Sequence, residues 1–166
     1  YLTDDGHLVI VGSKVTSETE EGLIAKLDAR NGALIWAVTL ADDTGDTKVL
    51  SMDSSYSDAW IISGSMIALG QNKTFIVQLT SEGEFIRIKQ VNHASDGVSV
   101  IRRISSGGYV LAGSNDGRSR ESFIAKINNQ LEIEDCEGID DALLTYTDIT
   151  ANMHVANTSF GVRTIS

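Results

Sequence analysis

Apolar residues along this chain come in short runs of five to eight, rich in Val, Ile, Leu and aromatics and bounded by Gly, Asn, Asp and Ser. Nowhere do they recur at i, i+3, i+4 and i+7 over three turns, the spacing that lines one helix face. The pattern predicts strands throughout and an all-β fold. Several runs are apolar at successive positions, among them Leu8 to Val11, Ile61-Ile62 and Val110 to Ala112. That pattern predicts strands buried on both faces, as in a sheet held between two others.

The runs repeat. DGHLVIVGS at 5 to 13 returns as SDAWIISGS at 57 to 65 and as SGGYVLAGS at 106 to 114, with Gly12, Gly64 and Gly113 spaced by 52 and 49 residues. A second element follows each copy, Leu23 to Asp28, Phe75 to Thr80 and Phe123 to Asn128, at nearly the same period. A tight turn comes next, with Asn31-Gly32 the strongest hairpin signal, and then a further β-rich run: Leu34 to Leu40, Phe85 to Val91 or Leu131 to Ile133. A fourth run precedes the glycine-bearing element at Val49 to Ser55 and Val98 to Ile104, and its tail end survives as Tyr1-Leu2-Thr3. A unit of four short strands, about 50 residues long and stacked on its own copies, points to a β-propeller.

These residues resemble a known family. A Gly-Gly-Tyr-Val-x-Ala-Gly strand (Gly107, Gly108, Tyr109, Ala112, Gly113), a strand ending Lys26-Leu27-Asp28, the turn Asn31-Gly32 and a strand carrying Trp36 are similar to the kelch-like propeller repeats of secreted bacterial and archaeal proteins. The likeness covers about residues 1 to 135. The middle copy departs from it, with Asp58-Ala59 in place of the glycine pair and Arg87 where Trp36 would recur. The resemblance implies three four-stranded antiparallel blades at about 1–40, 48–91 and 98–135, and an extracellular or cell-surface location. Three blades cannot close a ring of the usual 4 to 8, so further blades are expected from upstream sequence or from another chain. Because such repeats are architectural, the likeness bears on fold more than on activity.

Composition narrows the partners. The 166 residues carry 13 Lys plus Arg against 23 Asp plus Glu, a formal charge of −10, which opposes binding to a phosphate backbone. No apolar stretch reaches the ~20 residues of a membrane helix, so neither nucleic acid nor membrane insertion is expected. Proline is absent, and the single cysteine, Cys136, excludes an intrachain disulfide or a cysteine-based zinc site. The chain starts at Tyr1 without a hydrophobic leader, which fits a processed protein or a piece of a longer one.

Candidate chemistry is sparse. Ser13, Ser65 and Ser114 follow the repeated glycines but none lies in a Gly-x-Ser-x-Gly elbow, and His7, His93 and His154 form no metal-ligand spacing, so no catalytic residues are assigned and no enzyme is expected. The loop Asp42-Asp43-Thr44-Gly45-Asp46 sets three carboxylates (Asp42, Asp43, Asp46) around a glycine, suited to Ca²⁺ as the one cofactor considered, or to a solvated acidic turn. Asn72 and Asn157 begin N-glycan acceptor triplets. Trp36, Trp60, Phe75, Tyr109 and Phe123 occupy strand positions that call for packing between blades, with a sugar-stacking platform as the rival reading. Lys26, Gln78 and Lys126 share one repeat position, where a hydrogen bond between neighbouring strands is expected.

From Ile139 the sequence changes character. Ile149, Ala151, Met153 and Val155 alternate with polar residues, and Phe160 and Val162 follow in a similar short copy. The region 139–166 is expected to run as an extended β tail or linker beyond the third blade and to dock on another protein, through Ile149, Met153, Val155, Phe160 and Val162. The partner would be a further copy of the chain or missing blades of the same protein, a contact that can form filaments. The function expected is a noncatalytic structural or adhesive segment. The alternatives are a carbohydrate- or calcium-binding module, or part of a larger propeller enzyme.

Overall fold

The computed structural model describes residues 1–16, 18–42, 46–56, 58–68, 70–91, 98–115, 121–133, 139–141 and 145–148, and among these the chain is all β with no helix. Twelve strands form three antiparallel sheets: β1 (His7–Val15), β2 (Glu20–Asp28), β3 (Leu34–Ala41), β4 (Thr47–Ser54), β5 (Ala59–Ala68), β6 (Gln71–Thr80), β7 (Phe85–Val91), β8 (Val98–Arg103), β9 (Tyr109–Asn115), β10 (Glu121–Ile127), β11 (Ile139–Asp141) and β12 (Thr145–Asp148). The first sheet has the order β1-β2-β3-β12, the middle sheet β11-β7-β6-β5-β4, and the third β10-β9-β8.

The sequence repeat is a register repeat. Leu8 pairs with Leu27, Trp60 with Leu79 and Tyr109 with Ile127, while Gly12 pairs with Leu23, Gly64 with Phe75 and Gly113 with Phe123. Irregularities recur as well. A bulge lies between Lys26 and Leu27 against β3 and between Gln78 and Leu79 against β7, and β4 and β8 are both bulged, at Val49/Ser51 and Val98/Val100. A bulge kept at the same repeat position is a built feature that bends each strand alike.

Because side chains alternate across a strand, each sheet has a front face and a back face. The front of the first sheet (Val9, Ile24, Trp36, Val38) packs on the back of the middle sheet (Trp60, Ile62, Phe75, Val77, Leu79) in one apolar core. The front of the middle sheet (Ile61, Ile76, Val91) packs on the back of the third (Ile101, Tyr109, Leu111, Ile127, Leu131) in a second core. The middle sheet is thus buried on both faces, which accounts for its successive apolar residues. The aromatic residues lie in these layers: Trp36, Trp60 and Phe75 in the first core, Tyr109 in the second, and Phe123 against it.

Three expectations about the units are corrected. The run Leu131 to Ile133 is not a strand: Leu131 takes a positive φ of 66°, its N–H bonds Asn128 O at 3.1 Å, and its buried side chain fills the second core. The third sheet therefore has three described strands. In the first sheet the remnant run Tyr1 to Thr3 gives one bridge, Leu2 to Leu8, and the fourth strand is β12. Lastly, residues 139–141 and 145–148 do not continue beyond the third sheet. They double back and pair with β7 and β3, whose outer edges offer the unpaired N–H and C=O groups an extended segment needs.

Candidate functional site

The turn before β1, the segment after β4 and the end of β8 converge on a cleft of about 440 Å³, lined by Tyr1, Asp5, Lys26, Trp60, Glu82 and Arg103 among others. Each sheet contributes to it. Asp5 stands in the turn ahead of β1, where its carboxylate accepts a hydrogen bond from the Thr3 hydroxyl and lies 2.9 Å from His7 Nδ1 and 3.3 Å from Lys26 Nζ. The Thr3 bond foremost, with His7 and the Lys26 ammonium adding to it, holds the Asp5 carboxyl far below the ordinary carboxylate range. Glu82 is also held below that range, chiefly by the Ser81 hydroxyl, which donates to it at 2.8 Å.

Arg103 closes the other side. Its backbone N–H donates to Asp53 Oδ2 at 3.0 Å, its guanidinium donates to Ser55 O at 3.3 Å, and the same guanidinium sits 5.2 Å from the Tyr56 ring centre. Ser55 bonds the Tyr109 hydroxyl and accepts from Gln78 Nε2 at 2.8 Å, so the segment after β4 meets β6 and β9 at one buried polar point. The shared position of Lys26 and Gln78 has a common role: each reaches back to the segment ahead of its unit's glycine-bearing strand, to Asp5 and to Ser55. Lys126, the third member, is exposed. Within the cleft Lys26 is paired with Asp5, Glu82 accepts from Ser81, and Arg103 braces the segment after β4. Trp60, edge-on to Tyr1 at 5.4 Å, is buried, as is Trp36, so neither indole offers a sugar a free face.

The other sequence candidates lie apart from the cleft. Asp46 caps β2 by accepting the Glu20 N–H at 2.9 Å, and the Asp42 N–H donates to Thr47 Oγ1 at 3.2 Å. Asp43 lies outside the described residues, and among these no group of three or more His, Cys, Asp or Glu is placed to hold a metal. Asn72 is exposed on β6, while Asn157, Ile149, Met153, Val155, Phe160 and Val162 lie outside the described residues.

The second feature is the pair of end faces. At one front-face position Ile24 and Ile76 are 0% exposed but Ile124 is 81% exposed; at one back-face position Ile62 and Leu111 are 0% exposed but Ile10 is 38% exposed. Among the described residues no further sheet packs on the front of the third sheet and the stack does not close, whereas on the back of the first sheet Ala25, Ala37 and Thr39 are buried beside the partly exposed Ile10. Sequence reasoning assigned none of the cleft residues Asp5, Glu82 or Arg103 to a site, because they stand in two turns and a strand end of three different units and no local motif joins them. No protein-family model, no characterised protein and no solved structure matches the chain.

Proposed function

We propose that the chain is a noncatalytic structural or adhesive module of β-propeller type, built of kelch-like repeats, from an extracellular or cell-surface protein. It works by assembling with further sheets of its own kind. The observation that supports this reading is the exposure of Ile124 and Ile10 at positions whose equivalents in the other sheets are fully buried. An apolar side chain left exposed where its repeat equivalents are buried marks an interaction surface, and stacked repeats gain their stability from the faces they share with neighbours. The charged groups of the cleft fit the same reading, since their bonds hold turns and sheets together.

A tandem protein tests it, with two full chains joined by a long Gly/Ser linker so that the third sheet of one can meet the first sheet of the other. The expected result is a higher unfolding midpoint than the single chain, with solvent protection at Ile124 of the leading copy. An unchanged midpoint and an unprotected Ile124 would mean that the end faces are not assembly surfaces.

A further inference from the structure

The outer edge of β10 differs from those of its two equivalents. At the close of the second strand of each unit a residue turns its N–H toward the outer edge: Asp28 donates to Ala33 O at 2.8 Å, Thr80 to Glu84 O at 2.8 Å and Asn128 to Glu132 O at 2.9 Å. Backbone groups alternate between the two edges of a strand, so every second residue before these turns its N–H and C=O the same way. In β2 and β6 those residues are paired, Ile24 with Val38 and Lys26 with Trp36, then Ile76 with Lys89 and Gln78 with Arg87. Their equivalents in β10 are Ser122, Ile124 and Lys126. Among the described residues no strand pairs with these three on that edge, since Leu131 leaves the strand path and β11 and β12 go to the other two sheets. All three are exposed, Ile124 most of all.

We infer that the outer edge of β10 pairs with β10 of a second copy of this chain, antiparallel about a two-fold axis at Ile124, and so joins the third sheets of two copies into one continuous sheet. The strand is suited to itself as partner. With the axis at Ile124, the middle residue of Glu121–Ile127, the whole strand pairs: Ile124 faces Ile124 of the other copy and Ser122 faces Lys126. These are the residues whose N–H and C=O turn outward, so each such pair exchanges two hydrogen bonds. No like charges are set opposite one another, and two isoleucines meet at the centre, a favourable β-branched pair. Charge points to the same place. The chain carries −10, which keeps copies apart, but the strand's only charges are Glu121 and Lys126, which cancel. A contact of this kind is isologous and closes at two copies. It uses the edge of the third sheet and not its front face, so it goes beyond the stacking of sheets proposed above.

The test is the mass of the full chain in solution from micromolar to millimolar concentration, with Ile124→Lys and Ile124→Glu as variants. The side chain is exposed in the single chain, so both variants should fold, which unchanged thermal midpoints at low concentration would show. The wild type is expected to dimerise. Each variant alone sets like charges opposite one another at the axis and should weaken the dimer by about tenfold or more. Mixing the two is expected to restore a one-to-one complex, because position 124 then faces the opposite charge; a contact in which Ile124 meets any other residue predicts no such rescue. Hydrogen exchange of the wild type gives a second readout, with the amides of Ser122, Ile124 and Lys126 gaining protection as concentration rises while those of Phe123 and Ala125, which turn toward β9, are protected throughout. A wild type that stays monomeric to millimolar concentration, variants that fail to complement each other, or exchange at Ile124 indifferent to concentration would each overturn the inference. If the tandem protein gains stability while free chains stay monomeric, the stacking of sheets stands and the edge contact is refuted; a dimer that obeys the charge rescue while the tandem gains nothing has the opposite meaning.

Discussion

The middle sheet and its two neighbours share a repeat but not an environment. Ile76 and Ile124 occupy the same position, and so do Gly64 and Gly12. Yet Ile76 is sealed between sheets while Ile124 faces outward, and an added Cβ would lie 2.0 Å from Lys48 O at Gly64 but meets nothing within 4 Å at Gly12. The crowding at Gly64 comes from β4, the bulged strand beside it, and from the Phe75 ring at 2.4 Å; in the first sheet the Leu2 bridge reaches Leu8, four residues short of Gly12. The repeat prescribes side chains for an interior, and what each is worth depends on whether a neighbouring strand or sheet is there to meet it.

The widest separation is expected between Ile76→Ala and Ile124→Ala. The first leaves a cavity in the second core and should cost about 2–5 kcal/mol in urea unfolding. The second removes an exposed side chain and should stay within about 0.5 kcal/mol in the monomer. Next, Gly64→Ala forces β4 away and should cost about 1–3 kcal/mol, whereas Gly12→Ala should be neutral or stabilise by up to about 1 kcal/mol, since alanine restricts the unfolded strand. A Gly12→Ala variant as damaging as Gly64→Ala would show that β1 is crowded after all.

A smaller effect separates the turns by pH. Asp5 is depressed in the folded chain, so its contribution is present above the ordinary Asp pKa of about 3.9 and declines as the pH falls below it. The thermal midpoint of Asp5→Asn should lie below wild type at pH 7, by a gap that is constant above about pH 5 and narrows in acid. A gap that widens in acid would contradict the bonding of Asp5 to Thr3, His7 and Lys26. The smallest effect is expected at the ion pair Lys14 to Glu21, 3.1 Å and exposed on the first sheet. There Lys14→Ala should move stability by no more than about 0.5 kcal/mol by calorimetry.

Much of this arrangement was legible in the sequence. The glycine-bearing strands and their partners could be placed because a recurring apolar pattern fixes both the strand and its register. The successive apolar residues Ile61-Ile62 of β5 showed the two-sided burial of the middle sheet, while the same pattern in β1 predicted burial that Ile10, 38% exposed, does not have. Other features had no local signal. The bulges at Gln78/Leu79 and Val49/Ser51 show only when pairings are counted across two strands. Leu131 reads as the start of a strand because leucine rarely takes a positive φ; here it holds the turn position that Gly83 fills in the middle sheet. Gly83 sits against Trp36, with an added Cβ 2.7 Å from the indole, whereas the Leu131 side chain is itself buried in the second core. The cleft escaped notice for a like reason, since Asp5, Glu82 and Arg103 are neighbours only once the sheets are stacked.

The strands β11 and β12 bear on how the chain reaches its fold. They complete the outer edges of the middle and first sheets, and Thr145 pairs with Ala41 across more than half the length of the chain. As the polypeptide emerges during synthesis, β3 is made early but its edge partner comes only after all three sheets have been produced. Until then an unpaired edge is presented to other nascent chains, the state in which β proteins exchange strands or aggregate. Closing so long a loop also delays the pairing, because its entropy is lost before any contact rewards it. The late arrival of these two short strands therefore sets a kinetic checkpoint, and a chaperone that shields β3 should raise the yield of folded protein without changing its final stability.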